Sequence, residues 1–135
     1  MQTQTESPIR DQLIRILGDK GVQEQDNLLL FMYRGFQVIA DISDRQPLVT
    51  FKFYKDVPIT RMQKRLWQAN ILNLNSQFGS HTVDTEQRYY LFRSGNYLPR
   101  RPSNRLLRQI LADCALEAEY GFRRSASIPK GESII

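Results

Sequence analysis

Hydrophobic and polar positions change their period several times along the chain. At the start, in "SPIRDQLIRILGDKG", apolar residues recur at helical spacing, at Ile9, Leu13, Ile16 and Leu17. This pattern predicts a short amphipathic helix. Ser7 is expected to cap it, Pro8 to occupy its first position, and Gly18 or Gly21 to end it.

The next three segments are typical of β-strands. "NLLLFMY" is a β-rich apolar run, and "FQVIADI" and "LVTFKFYKD" alternate apolar and polar positions. Between the first two, Arg34 and Gly35 form a candidate two-residue turn, because Gly35 accepts positive φ. We therefore expect a three-stranded antiparallel meander. Ile39, on the polar side of the middle strand, indicates that this side is not wholly exposed.

A longer helix and a second hairpin follow. "PITRMQKRLWQANILNLNSQFG" predicts a helix that starts at Pro58, weakens at Asn70, Asn73 and Asn75, and exits at Gly79. "HTVD" and "RYYLFR" then predict two strands joined at "TEQ". The segment "SGNYLPRRP" is expected to be a loop, because its two prolines block regular structure.

The last helix begins after Ser103, a good capping residue. Its predicted buried stripe consists of Leu106, Leu107, Ile110, Leu111 and Cys114. The resulting order, α-β-β-β-α-β-β-α, predicts an α+β fold in which helices pack on an antiparallel sheet. We expect one domain over residues 1–122 and a flexible tail over residues 123–135, which is polar and aperiodic.

Composition limits the class of protein. The 135 residues are 41% hydrophobic and 24% charged, as in ordinary soluble domains. The start "MQTQTESP" lacks the pattern of a secretory signal, and no apolar run approaches the ~20 residues that span a bilayer. These features predict a cytoplasmic protein without a membrane partner. The net charge of +5 permits nucleic acid or an acidic protein as partner.

Candidate catalytic groups are few. His81 has a carboxylate nearby in sequence, Asp84, but residues three apart on a strand face opposite ways, so we expect an ordinary surface or edge histidine. Cys114 lies late in its helix beside Asp113, which disfavours a thiolate. No metal-ligand spacing and no glycine-rich phosphate loop is present. We therefore predict no catalytic residue, metal, cofactor or small-molecule substrate.

Arginines crowd one segment. From Arg88 through Ala112 there is no acidic residue, and the start of the last helix carries a candidate anionic-partner patch of Arg100, Arg101, Arg105 and Arg108. These cations oppose the helix dipole. Their partners are carboxylates, phosphates or only solvent. Interleaved aromatic residues, which would stack on nucleic-acid bases or pack in the core, are Tyr89, Tyr90, Phe92 and Tyr97.

The order of elements resembles the type III secretion chaperone-like fold, which effector chaperones share with YbjN-like proteins. Residues 70–93, "NILNLNSQFGSHTVDTEQRYYLFR", are similar to the family's helix with an asparagine-rich end, Phe-Gly exit, strand, acidic turn and second strand. The resemblance implies a non-enzymatic, homodimeric, cytoplasmic protein. It also implies that an extended partner polypeptide docks on apolar patches and sheet edges.

The resemblance assigns roles to two sets of residues. The meander would supply core or a partner-binding groove through Leu28, Leu30, Val49, Phe51 and Phe53. The candidate dimer surface consists of Trp67, Ile71, Leu74, Tyr90 and Phe92. Each of these residues has monomer core as its alternative. Our leading hypothesis is a chaperone- or adaptor-like protein-binding module. The alternative is a nucleic-acid-binding or regulatory protein that uses the Arg100–Arg108 end.

Overall fold

The fold was derived from a computed structural model, which describes residues 8–74, 76 and 78–126. Its elements, numbered in chain order, are α1 (Pro8–Leu17), β1 (Gln23–Gln25), β2 (Leu28–Tyr33), β3 (Phe36–Ile42), β4 (Leu48–Asp56), α2 (Met62–Asn73), β5 (Ser80–Asp84), β6 (Tyr89–Tyr97) and α3 (Asn104–Ala126). A 3-10 turn, Asp19–Gly21, follows α1. Within the described residues, no helix is both long and apolar enough to cross a membrane.

The strands form one antiparallel sheet in the order β1-β2-β3-β4-β6-β5. Alternate residues of β3 and β4 are buried, and the register pairs them across the strands, as Val38 with Phe53. The helices pack on this face; the Phe122 ring of α3, for example, lies 6.1 Å from the Phe36 ring. One hydrophobic core results, and the predicted α+β fold is confirmed.

Several local predictions follow the expected chemistry. Arg34 (φ 49°) and Gly35 (φ 84°) both have positive φ, the conformation of the turn that joins β2 to β3 with the correct twist. Gly18 (φ 84°) follows α1 and donates its N–H to Ile14 O at 2.8 Å. Ser103 caps α3, because its Oγ accepts the N–H of Leu106 at 3.0 Å.

The sheet is more extensive than predicted. β1, an additional strand, pairs with Leu28–Leu30 across a turn in which Asp26 has φ 54°. Its residues are all polar and exposed, so no hydrophobic alternation indicates it. β6 also continues to Tyr97, beyond the expected end at Arg93, because β4 pairs with its whole length. The first four residues of the predicted loop are therefore strand.

α2 begins later than predicted, at Met62 instead of Pro58. The preceding residue, Arg61, has the left-handed conformation (φ 56°), which interrupts a helix. The helix also ends earlier than predicted, at Asn73 in the asparagine-rich segment instead of at Gly79. Two predicted features lie outside the described residues: the Ser7 cap and the effect of Asn75.

α3 is longer than predicted and runs to Ala126, so residues 123–126 of the expected tail are helical. The rest of that tail, residues 127–135, lies outside the described residues. The buried Arg65 of α2 donates from Nη1 to the carbonyls of Ser125, at 3.0 Å, and Ala126. Because the last carbonyls of a helix lack partners within it, this guanidinium stabilises the extra turn.

Candidate functional site

The sheet face opposite the helices carries a mixture of apolar and charged side chains. One row across it consists of Leu30, Ile39, Lys52 and Arg93, and the next row consists of Met32, Gln37, Tyr54 and Leu91. Most of the apolar members are half-buried, and Met32 is 60% exposed. This open face is therefore a partly apolar surface that the described helices leave uncovered.

A groove of about 420 Å³ lies at the outer end of this face. Its lining includes Lys20, Leu30, Met32, Ile39 and Tyr54. β1 pairs only with Leu28–Leu30, so the following part of β2 has no strand on its outer side among the described residues. Because backbone groups alternate in direction along an antiparallel ladder, the Met32 N–H and C=O face this open edge.

The five residues predicted to bind a partner do not share one surface. Leu28 and Leu30 are half-buried on the open face, beside the groove. Val49, Phe51 and Phe53 point to the opposite face and are at most 1% exposed beneath the helices. Their placement in a groove is corrected: they are monomer core, the alternative that the alternating pattern left open.

The predicted dimer residues separate in the same way. Trp67 (50%), Ile71 (37%) and Leu74 (82%) are exposed along one side of α2 and its end. Tyr90 and Phe92 are fully buried, because their side of β6 lies under α3. The assignment of these two aromatics to a dimer surface is therefore corrected, and the same burial prevents them from stacking on nucleic-acid bases.

All four arginines of the predicted anionic-partner patch are exposed, but they do not form one site. Arg100 and Arg101 line a cleft of about 530 Å³ together with Arg15 of α1, which sequence reasoning did not include. Arg105 and Arg108 lie further along α3 and do not line this cleft. Spatial proximity between α1 and the start of α3 carries no sequence signal.

The structure also reveals a buried polar chain that sequence reasoning missed. His81 is 1% exposed, so the expectation of a surface histidine is wrong, although β5 is an edge strand. Its Nδ1 lies 2.6 Å from Tyr90 Oη and its Nε2 lies 2.8 Å from Glu117 Oε2. Asp84 instead accepts the N–H groups of Glu86 and Gln87 in the β5–β6 turn.

The surroundings of His81 favour the neutral form of its ring. Burial lowers the pKa of His81, and the hydrogen bond and negative charge of Glu117 oppose that shift only partly. Burial also raises the pKa of Tyr90 well above its usual range. In the neutral ring, Nε2–H donates to Glu117 and Nδ1 accepts from the Tyr90 hydroxyl. Both ring nitrogens thus have partners.

A cleft of about 480 Å³ opens beside Glu117 and is also lined by Phe78, Asn96, Asp113 and Cys114. Its chemistry does not favour catalysis. Burial raises the pKa of Cys114 to about 11, so the thiol is protonated at neutral pH. Among the described residues, no group of three or more His, Cys, Asp or Glu side chains is arranged to hold a metal ion.

Comparisons with known proteins place this architecture. No protein-family model and no curated protein matches the sequence. Among solved structures, YbjN from E. coli, a candidate transcription regulator, matches with a TM-score of 0.62 and 12% identity over 83% of this chain and 87% of that chain. A chain of the HopA1–SchA chaperone–effector complex matches with a TM-score of 0.58 and 12% identity, over 82% and 87%.

At this level of identity the likeness concerns the fold alone. It supports the element order predicted from hydrophobic periodicity, to which the structure adds β1. The resemblance stated from the sequence is thereby confirmed. The chain has the YbjN-like, type III secretion chaperone-like fold.

Proposed function

We propose that this protein is a non-enzymatic polypeptide-binding module that holds an extended partner segment along the outer edge of β2. The observation that carries the proposal is the groove at that edge. There the Met32 backbone groups face outward, and the side chains of Leu30, Ile39 and Tyr54 lie beside them. An extended segment would continue the ladder and place alternate side chains against this apolar lining.

The charges near the groove suggest the chemistry of the partner. Among the described residues that line the groove, Lys20 is the charged one. On the adjoining part of the open face, Lys52 lies opposite Arg93 in the register. A segment that turns both apolar residues and carboxylates toward the open face would suit both features, since complementary charge favours encounter and register.

Two further observations support a binding role over catalysis. The groups best suited to acid–base or nucleophilic chemistry are engaged or inactive: His81 has partners at both nitrogens, and Cys114 is a buried thiol. One of the solved structures with this fold comes from a complex between a chaperone and an effector. That fold therefore accompanies protein binding in at least one known complex.

The experiment is a selection of extended peptides from a random display library, followed by affinity measurements. The double variant Met32→Lys/Ile39→Lys should bind a selected peptide with an affinity lower by about tenfold or more. Leu116→Lys, on the exposed side of α3, is the matched control and should change affinity by less than about twofold. Equal binding by the groove variant, or a library without any binder above scrambled sequence, would contradict the proposal.

We also propose that a second copy of the chain covers the α2 stripe formed by Trp67, Ile71 and Leu74. Their spacing of four and three residues places them on one side of the helix, and an apolar patch of this kind is self-complementary around a two-fold axis. Sedimentation of the wild type should show a dimer, and Trp67→Glu/Leu74→Glu should be monomeric. Met32→Lys, on the open face, should remain dimeric. A monomeric wild type would contradict the proposed dimer.

A further inference from the structure

Two hydrogen bonds of one side chain hold together the two sides of the cleft between α1 and the start of α3. Gln12 of α1 donates from Nε2 to the Pro102 carbonyl at 2.7 Å and to Asn104 Oδ1 at 3.0 Å. These bonds join the first helix to the segment that precedes the last one. As a result, Arg15 from one segment and Arg100 and Arg101 from the other line one cleft of about 530 Å³.

The charges of this cleft are not balanced within the described part of the chain. No carboxylate lines it, and none of the ion pairs between described residues involves Arg15, Arg100 or Arg101. Arg15 Nε donates to the Asp11 carbonyl at 3.4 Å, whereas the Asp11 carboxylate forms no ion pair with it. Three arginines line this one cleft, and an anion bound in it would be attracted by all three positive charges.

The chemistry of the side chains narrows the ligand. A guanidinium presents a planar fork of donors that fits the two oxygens of a carboxylate or phosphate. The cleft is a local concavity with the amide side chains of Gln12 and Asn104 already committed to each other. Such a site fits individual anionic side chains better than the continuous track that a nucleic-acid backbone needs.

Two observations disfavour nucleic acid as the occupant. Of the four aromatics interleaved with the arginines, Tyr90 and Phe92 are fully buried and Tyr89 is half-buried, which leaves the exposed Tyr97 as a single stacking platform. Arg105 and Arg108, which would extend the positive surface along α3, do not line the cleft.

We propose that the cleft of Arg15, Arg100 and Arg101 is a carboxylate-recognition site, which binds an Asp- or Glu-rich stretch of a partner polypeptide. The location stands on this geometry alone, whereas the polypeptide nature of the partner rests on the proposed function. The site lies apart from the β2 groove, since the two share no lining residue. A partner that occupies both would carry an acidic stretch separate from its extended segment.

Fluorescence anisotropy with a labelled Asp/Glu-rich peptide tests the site, with the matching Asn/Gln peptide as reference. At about 50 mM salt the acidic peptide should bind at least about tenfold more tightly than the amide peptide. Arg100→Gln/Arg101→Gln should remove that preference. Arg100→Lys/Arg101→Lys should retain only part of it, because lysine keeps the charge without the planar fork.

The matched control is Arg105→Gln/Arg108→Gln, which removes the same amount of charge from the first turns of α3, outside the cleft. It should change affinity by less than about twofold; an equal loss would show that net charge, not the cleft, attracts the peptide. A single-stranded or duplex oligonucleotide that binds the wild type more tightly than the acidic peptide, and loses affinity in Arg100→Gln/Arg101→Gln, would replace the proposal with a nucleic-acid site.

The two proposals fail independently. Met32→Lys/Ile39→Lys should bind the acidic peptide like the wild type, and Arg100→Gln/Arg101→Gln should bind a groove-selected peptide like the wild type. If a variant loses binding of the groove-selected peptide but still binds the acidic peptide, the carboxylate site is supported. An acidic peptide that binds no better than its amide counterpart overturns the carboxylate site and leaves the groove untouched.

Discussion

His81 Nε2 lies 2.8 Å from Glu117 Oε2 and joins the edge strand β5 to the middle of α3. The backbone of the same residue is held from the other side, because Asn73 of α2 donates to His81 O at 2.9 Å and accepts its N–H at 2.6 Å. A single residue thus connects the edge of the sheet to two helices.

The first prediction concerns the Glu117 side of this connection. Glu117→Ala leaves the buried Nε2–H without an acceptor and should lower the free energy of unfolding by about 1–3 kcal/mol. Glu117→Gln keeps an acceptor oxygen and should lose less. Glu119 forms an exposed ion pair with Arg34 at 3.6 Å. Glu119→Ala removes this pair and should lower the free energy of unfolding by no more than about 1 kcal/mol. Urea unfolding measures all three, and equal losses for Glu117→Ala and Glu119→Ala would contradict the prediction.

The second prediction is a pH dependence with a defined sign. The folded-state pKa of His81 is lowered, so the unfolded chain binds the proton more readily. The contribution of His81 to the free energy of unfolding should be fully present above the ordinary histidine pKa of about 6.5. It should decrease as the pH drops below that value. One group contributes at most about 1.4 kcal/mol per pH unit. Because His81 is the chain's only histidine, His81→Gln should flatten the profile between about pH 7 and 5.5.

Imidazole resonances of the wild type provide an independent check of that sign. Glu117 from α3 and Tyr90 from β6 are the titratable groups in contact with the ring. The NMR titration of His81 should have its midpoint below about 6.5, or should be interrupted by unfolding. A midpoint above that value would mean that attraction by the Glu117 charge outweighs burial.

The third prediction concerns Gly121, where α3 approaches the sheet closely. A Cβ at this position would lie 2.2 Å from Tyr90 Oη and 2.3 Å from His81 Nδ1. Gly121→Ala should therefore destabilise the protein by about 1–3 kcal/mol, despite the better helix propensity of alanine. Gly21→Ala is the control, since nothing lies within 4 Å of its Cβ, and should change stability by less than about 0.5 kcal/mol. Thermal unfolding compares the two.

The fourth prediction concerns the contact between α2 and the end of α3. Arg65 donates to the Thr60 carbonyl at 2.7 Å and to the last carbonyls of α3. Arg65→Met keeps much of the packing but removes these donors, and should cost about 2 kcal/mol. Hydrogen exchange should accelerate first in residues 121–126. Gln63→Ala, exposed on the same helix, should leave exchange there unchanged, and unaltered exchange in Arg65→Met would refute the capping role.

Hydrophobic periodicity was enough to predict the fold because most of its elements bury one face. The alternation in β3 and β4 separates Val49, Phe51 and Phe53 from Thr50, Lys52 and Tyr54, as the structure has them. The pattern does not say which face the helices cover, so it leaves core and groove as alternatives for Val49, Phe51 and Phe53. β1 escaped prediction for the opposite reason, since a polar exposed strand has no apolar period.

The candidate sites depend on proximity between distant segments, which composition does not encode. His81 and Glu117 are 36 positions apart, and the nearer Asp84 is engaged in its own turn. Arg15 is likewise far in sequence from the arginines with which it lines a cleft. The sequence does indicate which residues are unusual. They are the single histidine on a short strand and the arginines at the start of a helix, where the helix dipole disfavours positive charge.

The exposed position of Trp67 gives the molecule an intrinsic optical reporter. It is the only tryptophan of the chain, and half of its surface is accessible on the α2 stripe. Indole emission shifts to shorter wavelength when water is excluded from the ring. An unlabelled solution will therefore show, by its fluorescence maximum alone, whether that stripe is wet or covered at a given protein concentration.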